Sequence, residues 1–263
     1  MSDDLIKILD GNTFVVSDRR GDIEASPADP TGLFSFDTRF LSRWVLTVDG
    51  QRLNTLSVGD LQYFETRFFL VPGKGTVYVD AKLSVIRRRA VRDGFHEWLK
   101  ILNHDDKPVE LTARIEAGSD FADLFEVKDA LKKKGRYSSR VEDDRLLLAY
   151  QRQAYRRSTV ISATAGARVD EEGLTFDVRI QPHGEWTTEI DVAASLPRVK
   201  RRGGRRSPTR KRRKEDMESN LRRWIGDAPR LECDWEPLRV TYRRSLVDLA
   251  ALRFSLPITP GKS

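Results

Sequence analysis

Apolar and polar residues alternate along most of the first 190 positions, a two-residue period that is typical of β-strands. The clearest example spans residues 39–48, where Ser42 interrupts the apolar face. That face holds Phe40, Trp44, Leu46 and Val48, and the opposite face holds Arg39, Arg43 and Thr47. Asp49-Gly50 follows and predicts a tight hairpin turn, because Gly readily adopts the positive φ that such a turn needs.

Similar segments recur at short intervals, separated by turn-forming pairs such as Asp10-Gly11, Pro72-Gly73 and Asp93-Gly94. The other predicted strands are residues 5–9, 13–17, 61–71, 76–91, 95–102, 109–117, 136–141, 145–151, 159–165, 174–181 and 185–192. So many short strands with turns between them predict a mainly β protein, a large antiparallel β-sandwich rather than a βαβ fold.

A helical period is present only near the end of the chain, where two apolar stripes have spacings of three and four residues. The first stripe, which Gly226 ends, consists of Met217, Leu221, Trp224 and Ile225; the second consists of Leu238, Tyr242, Leu246, Leu249 and Leu252. Asp234 is the predicted cap of the second helix and Pro237 lies near its first turn. Two C-terminal helices are therefore expected after the sandwich.

The net charge of +7 is confined to one segment. Arg198–Lys214 contains 11 Lys or Arg and no acid, so the rest of the chain carries a charge of −4. Since this segment also contains Gly203-Gly204 and Pro208 and has no apolar period, it is predicted to be a disordered loop. The domains expected are a sandwich over residues 1–196, a basic loop over 197–214 and C-terminal helices over 215–263.

Composition favours a soluble, cytoplasmic protein. A chain of 263 residues is long enough for one sizeable core. Cys233 is the single cysteine, so no intrachain disulfide can form and a reducing compartment is expected. The N-terminus is acidic and lacks the pattern of a signal peptide, and no apolar run approaches the ~20 residues that span a bilayer. No membrane partner is expected.

Three segments carry a family resemblance: GLFSFDTRFLSRW at residues 32–44, DFADLFEV at 120–127 and YRRSLVDLAAL at 242–252. In this order they resemble landmarks of the N-terminal domain of bacterial glycogen debranching enzymes of the amylo-α-1,6-glucosidase type. The resemblance implies a β-sandwich of the super-sandwich kind, followed by connector helices and a six-hairpin barrel that carries the catalytic carboxylates. Only 11 residues follow the third segment, so the sequence lacks that barrel and is expected to be inactive alone.

Six charged residues in the first two segments are candidates for saccharide or interdomain contacts: Asp37, Arg39, Arg43, Asp120, Asp123 and Glu126. A glycosidase needs two carboxylates at a defined separation, and Asp123 and Glu126 could meet on a helical turn. The alternative is that these acids cap a turn while their apolar neighbours anchor a loop, and this structural interpretation is preferred. For Asp37 and Arg39 the preferred interpretation is a mutual ion pair.

The remaining chemistry is sparse. His96, His104 and His183 are far apart, and with a single cysteine they predict no metal and no cofactor. Of the five tryptophans, Trp44 and Trp224 lie on apolar faces and are expected in the core. Polyanions could bind non-specifically to the basic residues Arg201, Arg202, Arg205, Arg206, Arg210, Lys211, Arg212 and Arg213.

Three functions remain open. The preferred one is a non-catalytic accessory domain that packs on the six-hairpin barrel, in the same chain or a separate one, through the terminal helices and borders an α-glucan cleft. The second is a free-standing carbohydrate-binding or regulatory module, and the third a nucleic-acid binder that uses the basic segment. Without a barrel, the exposed stripe of the second helix predicts a homodimer.

Overall fold

A computed structural model describes residues 5–26, 29–73, 82–91, 94–164, 166–195 and 210–253, with the backbone alone described at 60, 61 and 210–218. The strands are β1 (Ile6–Asp10), β2 (Thr13–Ser17), β3 (Ile23–Glu24), β4 (Gly32–Ser35), β5 (Thr38–Leu41), β6 (Arg43–Val48), β7 (Gln51–Arg52), β8 (Asn54–Gln62), β9 (Glu65–Val71), β10 (Leu83–Val91), β11 (Phe95–Asn103), β12 (Val109–Gly118), β13 (Arg136–Glu142), β14 (Arg145–Arg152), β15 (Tyr155–Ala163), β16 (Arg168–Asp170), β17 (Gly173–Ile180) and β18 (Glu185–Ser195). The helices are α1 (Leu124–Lys128), α2 (Arg210–Asp227) and α3 (Glu236–Ala251).

The strands form three antiparallel sheets, which confirms the predicted fold class. The largest has eight strands in the order β13-β14-β15-β18-β11-β10-β9-β8. A six-stranded sheet follows the order β16-β17-β12-β6-β3, with β7 paired to β6, and a four-stranded sheet the order β1-β2-β4-β5. Among the described residues, nine of the fifteen strand pairings join strands that are consecutive in the sequence, as expected for antiparallel hairpins.

The eight- and six-stranded sheets pack face to face around one core. Along β11 and β12 every second side chain is buried, so each strand presents one apolar face to the opposite sheet. Trp44 on β6 and Phe95 on β11 meet edge to face with their ring centroids 5.8 Å apart. The ring centroids of Phe176 and Trp186 are 5.2 Å apart. Trp44 is fully buried, as its apolar face predicts.

The segment around Ser42 differs from the single strand that its alternation suggests. The chain bends at Ser42, so β5 belongs to the four-stranded sheet and β6 to the six-stranded one. The turn at Asp49-Gly50 is confirmed: it joins β6 to β7, with φ of 50° and 74°. The predicted strand over residues 61–71 is wrong at its start, because a turn at 63–64 separates β8 from β9.

Four charged residues lie inside the sandwich, and none of them is among the core residues expected from the sequence. Arg87, Arg89 and Glu97 are 0% exposed and Asp22 is 3% exposed. Glu97 accepts hydrogen bonds from Nε of Arg87 at 2.9 Å and Nε of Arg89 at 2.5 Å, and Asp22 accepts from Arg87 at 2.6 Å. The two positive and two negative charges balance, which is what allows them to be buried.

Burial and pairing act in opposite directions on these groups. Burial by itself raises the pKa of Glu97, but the two adjacent guanidinium groups outweigh it and hold that pKa below its usual value. For Arg89 burial is the stronger influence and lowers the pKa to about 10. The Arg89 guanidinium lies 5.3 Å from the centroids of the Phe68 and Phe95 rings, which accounts for its apolar surroundings.

The chain divides into two compact units, Met1–Pro197 and Arg198–Ser263. The second unit contains α2 and α3, and Nε1 of Trp224 donates to the carbonyl of Leu246 at 3.0 Å. Because α2 begins at Arg210, the predicted loop over 197–214 is wrong over its last five residues. Lys and Arg are good helix formers, and no Gly or Pro follows until Gly226. Residues 197–209 lie outside the described part of the chain.

The start of α3 differs in detail from its prediction. Trp235, rather than Asp234, is the residue before the helix, and its side chain makes no capping bond. Pro237 lies in the first turn, as predicted. Leu249 and Leu252 are more than half exposed. None of the helices within the described residues combines the length and hydrophobicity required to cross a membrane.

Candidate functional site at the motif surface

Two of the three motif segments meet in the folded chain. The turn between β4 and β5 lies against the loop that follows β12, and backbone hydrogen bonds join them. Arg39 donates to the carbonyl of Ala122 at 2.8 Å, and Leu124 donates to the carbonyl of Asp37 at 3.0 Å. The third motif lies on α3, in the other unit. Residues 32–44 and 120–127 thus build one site although they are about 80 residues apart in the sequence.

Asp123 and Glu126 begin helix α1 with a capping box. Oδ1 of Asp123 accepts hydrogen bonds from the backbone N–H of Phe125 at 3.0 Å and of Glu126 at 2.9 Å. In return, Oε2 of Glu126 accepts from the backbone N–H of Asp123 at 2.8 Å. These bonds satisfy donors that a helix start otherwise leaves unpaired. The structural interpretation of these two acids, as capping residues, is confirmed.

Lys133 forms ion pairs with both acids of the capping box. Its ammonium donates to Oε2 of Glu126 at 2.6 Å and to Oδ2 of Asp123 at 3.4 Å. Burial disfavours the charged ammonium, but Glu126 and Asp123 outweigh that effect and raise the pKa of Lys133. The hydrogen bond from the Glu126 backbone, with Lys133 nearby, lowers the pKa of Asp123. A general acid needs a raised pKa, so Asp123 is unsuited to that task.

Arg39 pairs with Asp120, and the predicted ion pair with Asp37 is wrong. Nε and Nη2 of Arg39 donate to the two oxygens of Asp120 at 3.0 and 2.5 Å, a two-point contact. Arg39 is only 7% exposed and also donates to the carbonyl of Thr31 at 3.3 Å. Asp37 stays in the exposed turn and accepts from the hydroxyl of Thr38 at 3.0 Å. The partner of Arg39 is thus set by the fold rather than by sequence proximity.

Arg43 lies at the outer face of the six-stranded sheet. Its guanidinium donates to Glu116 at 2.8 Å and to Glu24 at 2.8 Å, and Arg52 donates to the same Glu24 at 2.6 Å. The hydrogen bond to Glu116 is the main cause of a raised pKa of Arg43, against the opposing effect of burial. The structure therefore separates Arg43 from the five other candidate residues.

A cavity of about 410 Å³ opens between the two motif segments. Arg39, Asp120, Glu126, Lys133 and Tyr137 contribute its polar lining. Several large apolar side chains of these segments, and one just after the second, are exposed: Phe36 (52%), Leu124 (44%), Phe125 (77%) and Leu131 (59%). We call the cavity together with these four residues the motif surface. Concentrated apolar exposure beside a polar cavity is typical of an interaction site.

The sequence patterns did not identify Lys133 or Tyr137 as part of this site. The single hydroxyl proton of Tyr137 is shared between the carbonyls of Asp120, at 3.1 Å, and Lys133, at 2.8 Å. Burial is the main cause of the raised pKa of Tyr137. The run Lys132-Lys133-Lys134, close after two acids, was the available signal.

The other candidate residues give little further geometry. Within the described residues no three His, Cys, Asp or Glu side chains converge as metal ligands. Of the basic residues, Arg201, Arg202, Arg205 and Arg206 lie outside the described part of the chain. Arg210, Lys211, Arg212 and Arg213 begin α2, where the backbone alone is described. Polyanion binding there stays a prediction.

Comparison with solved structures finds remote similarity. A protein assigned as a kojibiose phosphorylase, from the human microbiome, is 9% identical with a TM-score of 0.42, and the match covers 93% of this chain and 31% of that one. A protein assigned as an aldose 1-epimerase, from Escherichia coli K12, is 7% identical with a TM-score of 0.43, and the match covers 73% of this chain and 99% of that one. These likenesses are too weak to transfer a function.

The family model gives a direct assignment, whereas no curated protein matches the sequence. The model for the N-terminal domain of some glycogen debranching enzymes matches residues 8–191. That range contains both segments of the motif surface and most of all three sheets. The chain belongs to the family of N-terminal domains of glycogen debranching enzymes.

Proposed function

We propose that this chain is a non-catalytic accessory domain of a glycoside hydrolase of the glycogen-debranching, amylo-α-1,6-glucosidase type. It packs on the catalytic six-hairpin barrel, in the same chain or in trans, and borders the α-glucan site. The observation that supports this role is the motif surface. There the two segments that carry the family resemblance meet, and four large apolar side chains are exposed, three in these segments and Leu131 just after the second.

The proposal that this chain is not catalytic is supported by how the carboxylates of the second motif segment are used. Asp123 and Glu126 accept backbone N–H groups and share the ammonium of Lys133. Asp120 is held in a two-point contact by Arg39. Hydrolysis of a glycosidic bond requires one protonated carboxylic acid and one available carboxylate. Groups that already neutralise a cation or cap a helix cannot perform these tasks without breaking α1 or its anchor.

Packing of a barrel on this surface is energetically reasonable. Burying a large apolar side chain is worth roughly 1.5–3 kcal/mol, and aromatic residues often dominate such contacts. Phe125 is the most exposed of the four and lies on α1, which the capping box and Lys133 hold in place. A preorganised helix loses little entropy on association. The adjacent cavity, with Arg39, Asp120 and Tyr137, then lies at the edge of the interface, where it can contact glucan hydroxyls.

The test supplies the catalytic barrel of a debranching enzyme of this type as a separate chain. We expect this protein alone to release no glucose from limit dextrin, and to form a complex with the barrel on size-exclusion chromatography. Phe125→Glu with Leu131→Glu should weaken the complex at least about tenfold, through the loss of apolar burial and the introduction of charge. Val141→Glu on β13, where Val141 is 41% exposed, is the matched control and should leave the complex intact.

Two results would contradict the proposal. One is glucose release by the chain alone that disappears in Asp123→Asn or Glu126→Gln, since those acids would then be catalytic. The other is equal barrel binding by the double glutamate variant and the wild type, since the motif surface would then not be the contact. A cytoplasmic location is part of the same proposal and rests on the single cysteine, Cys233.

A further inference from the structure

A second cavity lies on the outer face of the eight-stranded sheet, about 630 Å³ in volume. The cavity lies along a row of side chains on four adjacent strands: Arg67 on β9, Arg88 on β10, Trp98 on β11 and Glu189 on β18. The strand register places each of these residues directly opposite the next. Side chains that face each other across neighbouring strands lie about 5 Å apart, so the four form one continuous row. We call this row and its cavity the outer trough.

Trp98 is held in a fixed orientation within the outer trough. Its Nε1–H donates to Oε1 of Glu189 at 2.9 Å. The guanidinium of Arg88 lies 4.9 Å from the centroid of the indole ring, and Nε of Arg88 donates to Glu65 at 2.6 Å. The ring therefore keeps its position while part of it lines the cavity. A preoriented aromatic ring beside fixed charged groups is a platform for a ligand with an apolar face and polar edges.

The charges around the outer trough balance. Arg88 is paired with Glu65, and the ammonium of Lys100 is 2.8 Å from Oε2 of Glu185. The remaining charges of the lining, those of Arg67 and Glu189, are opposite in sign and cancel in the net charge. Among the described residues the trough therefore has little net positive charge, and a phosphate group would gain little from it.

A neutral saccharide fits this combination of groups. Carboxylates and guanidinium groups can bind adjacent hydroxyls through two-point contacts, while an aromatic ring covers the C–H face of a sugar. The hydroxyls of Thr164 and Thr187 are further polar groups in the lining. Two residues before Trp98 on the same face of β11, Nδ1 of His96 donates to Oδ1 of Asp191 at 2.5 Å, which extends the polar edge beside Trp98.

We propose that the outer trough is a binding site for a neutral oligosaccharide, in which one sugar ring stacks on Trp98 and hydroxyls along the oligosaccharide bind Glu189 and Arg67. This goes beyond the accessory role, because the outer trough and the cavity of the motif surface share no lining residue. The domain thereby holds a glucan or related chain at a place separate from any contact with a catalytic barrel.

The test measures binding of maltoheptaose and of cellopentaose to the full chain by isothermal titration calorimetry, with inorganic phosphate as the anionic probe. We expect at least one oligosaccharide to bind, with no competition by phosphate. Trp98→Ala should weaken binding about tenfold, the value of a lost aromatic stack together with its buried area. Glu189→Gln, which keeps the shape and removes the charge, should weaken it by a similar factor.

Trp235→Ala is the matched control, because Trp235 is 62% exposed and lies before α3 in the other unit. It should bind like the wild type. If Trp98→Ala fails to fold, Glu189→Gln decides the question alone. The proposal is overturned if neither oligosaccharide binds at millimolar concentration, if Glu189→Gln binds as tightly as the wild type, or if phosphate displaces the sugar. Barrel binding by Glu189→Gln stays unchanged in every case, so this failure is distinct from failure of the accessory role.

Discussion

Replacing Glu97 by Gln is the sharpest test of how this sandwich is held together. Glu97 is 0% exposed and accepts hydrogen bonds from Nε of Arg87 and Nε of Arg89, and from Nε1 of Trp44 at 3.1 Å. Glutamine keeps the size of the side chain but not its charge. Its amide also presents two N–H donors, at least one of which must face donors already aimed at the carboxylate.

The expected loss of stability is large. In the wild type the buried charges of Arg87 and Arg89 are balanced by Glu97 and Asp22. The variant retains both cations and one anion, so one positive charge is left uncompensated in the core. Breaking a buried pair in this way costs roughly 3–5 kcal/mol. For a protein of this size that corresponds to a fall in melting temperature of about 10 °C.

Urea unfolding at pH 7, followed by tryptophan fluorescence, measures the difference in free energy of unfolding. Glu110→Gln is the control, because Glu110 forms an exposed pair with Arg179 at 3.2 Å and should change stability little. A loss below about 1 kcal/mol for Glu97→Gln, with an unchanged denaturant slope, would refute the reasoning. It would mean that the core relaxes or admits water around the two arginines.

The pH dependence of the same variant gives an independent check. Arg87 and Arg89 hold the pKa of Glu97 in the folded state below the value of about 4.3 expected in the unfolded chain. A lowered pKa contributes stability that is fully present above the unfolded value and is lost as pH falls through the folded one. The wild type should therefore keep its full advantage over Glu97→Gln from pH 7 down to about pH 4.3, and lose it only at lower pH.

Three further predictions concern other parts of the chain. Asp123→Ala removes the cap of α1 and should lower the free energy of unfolding in urea by about 1 kcal/mol. Asp123→Asn should retain most of that stability, because Asn is also a good capping residue. Gly173→Ala should prevent folding, as judged by circular dichroism, because its Cβ would lie 1.9 Å from the carbonyl oxygen of Ile115. Leu246→Glu with Leu249→Glu should convert a concentration-dependent dimer into a monomer in sedimentation, and a monomeric wild type would contradict this.

The pattern of alternation was sufficient to predict the fold class, but not the division of strands among sheets. Phe40 and Trp44 lie on apolar faces that the sequence presents as one strand, and both are buried. The bend at Ser42 nevertheless sends β5 and β6 into different sheets. Local periodicity reports which side of a strand is buried and contains no information on which strand becomes its neighbour. The turn at Asp49-Gly50 was predictable because its geometry is decided by two adjacent residues.

The candidate site was predictable as a set of residues and not as a set of contacts. The motif segments identified Asp123 and Glu126, whose mutual bonds span three residues and follow from helix geometry. Proximity in the sequence pairs Arg39 with Asp37, two residues away, whereas in the structure Arg39 pairs with Asp120 at a separation of 81 residues. A partner so distant is set by the packing of two loops, which single-sequence patterns do not contain.

The burial of Arg87, Arg89 and Glu97 could have been predicted from the two-residue period, although charged residues are usually expected at the surface. Glu97 lies in register with the buried Phe95 and Leu99, and Arg87 and Arg89 continue the inward register of Val85. If every charged residue is assumed to be solvated, Arg87, Arg89 and Glu97 look like errors in the alternation. The two-residue period, applied without exception, places both signs of charge on the inward faces of two adjacent strands. Opposite charges that enter one core at neighbouring positions must pair there, since burial of either sign alone is prohibitive.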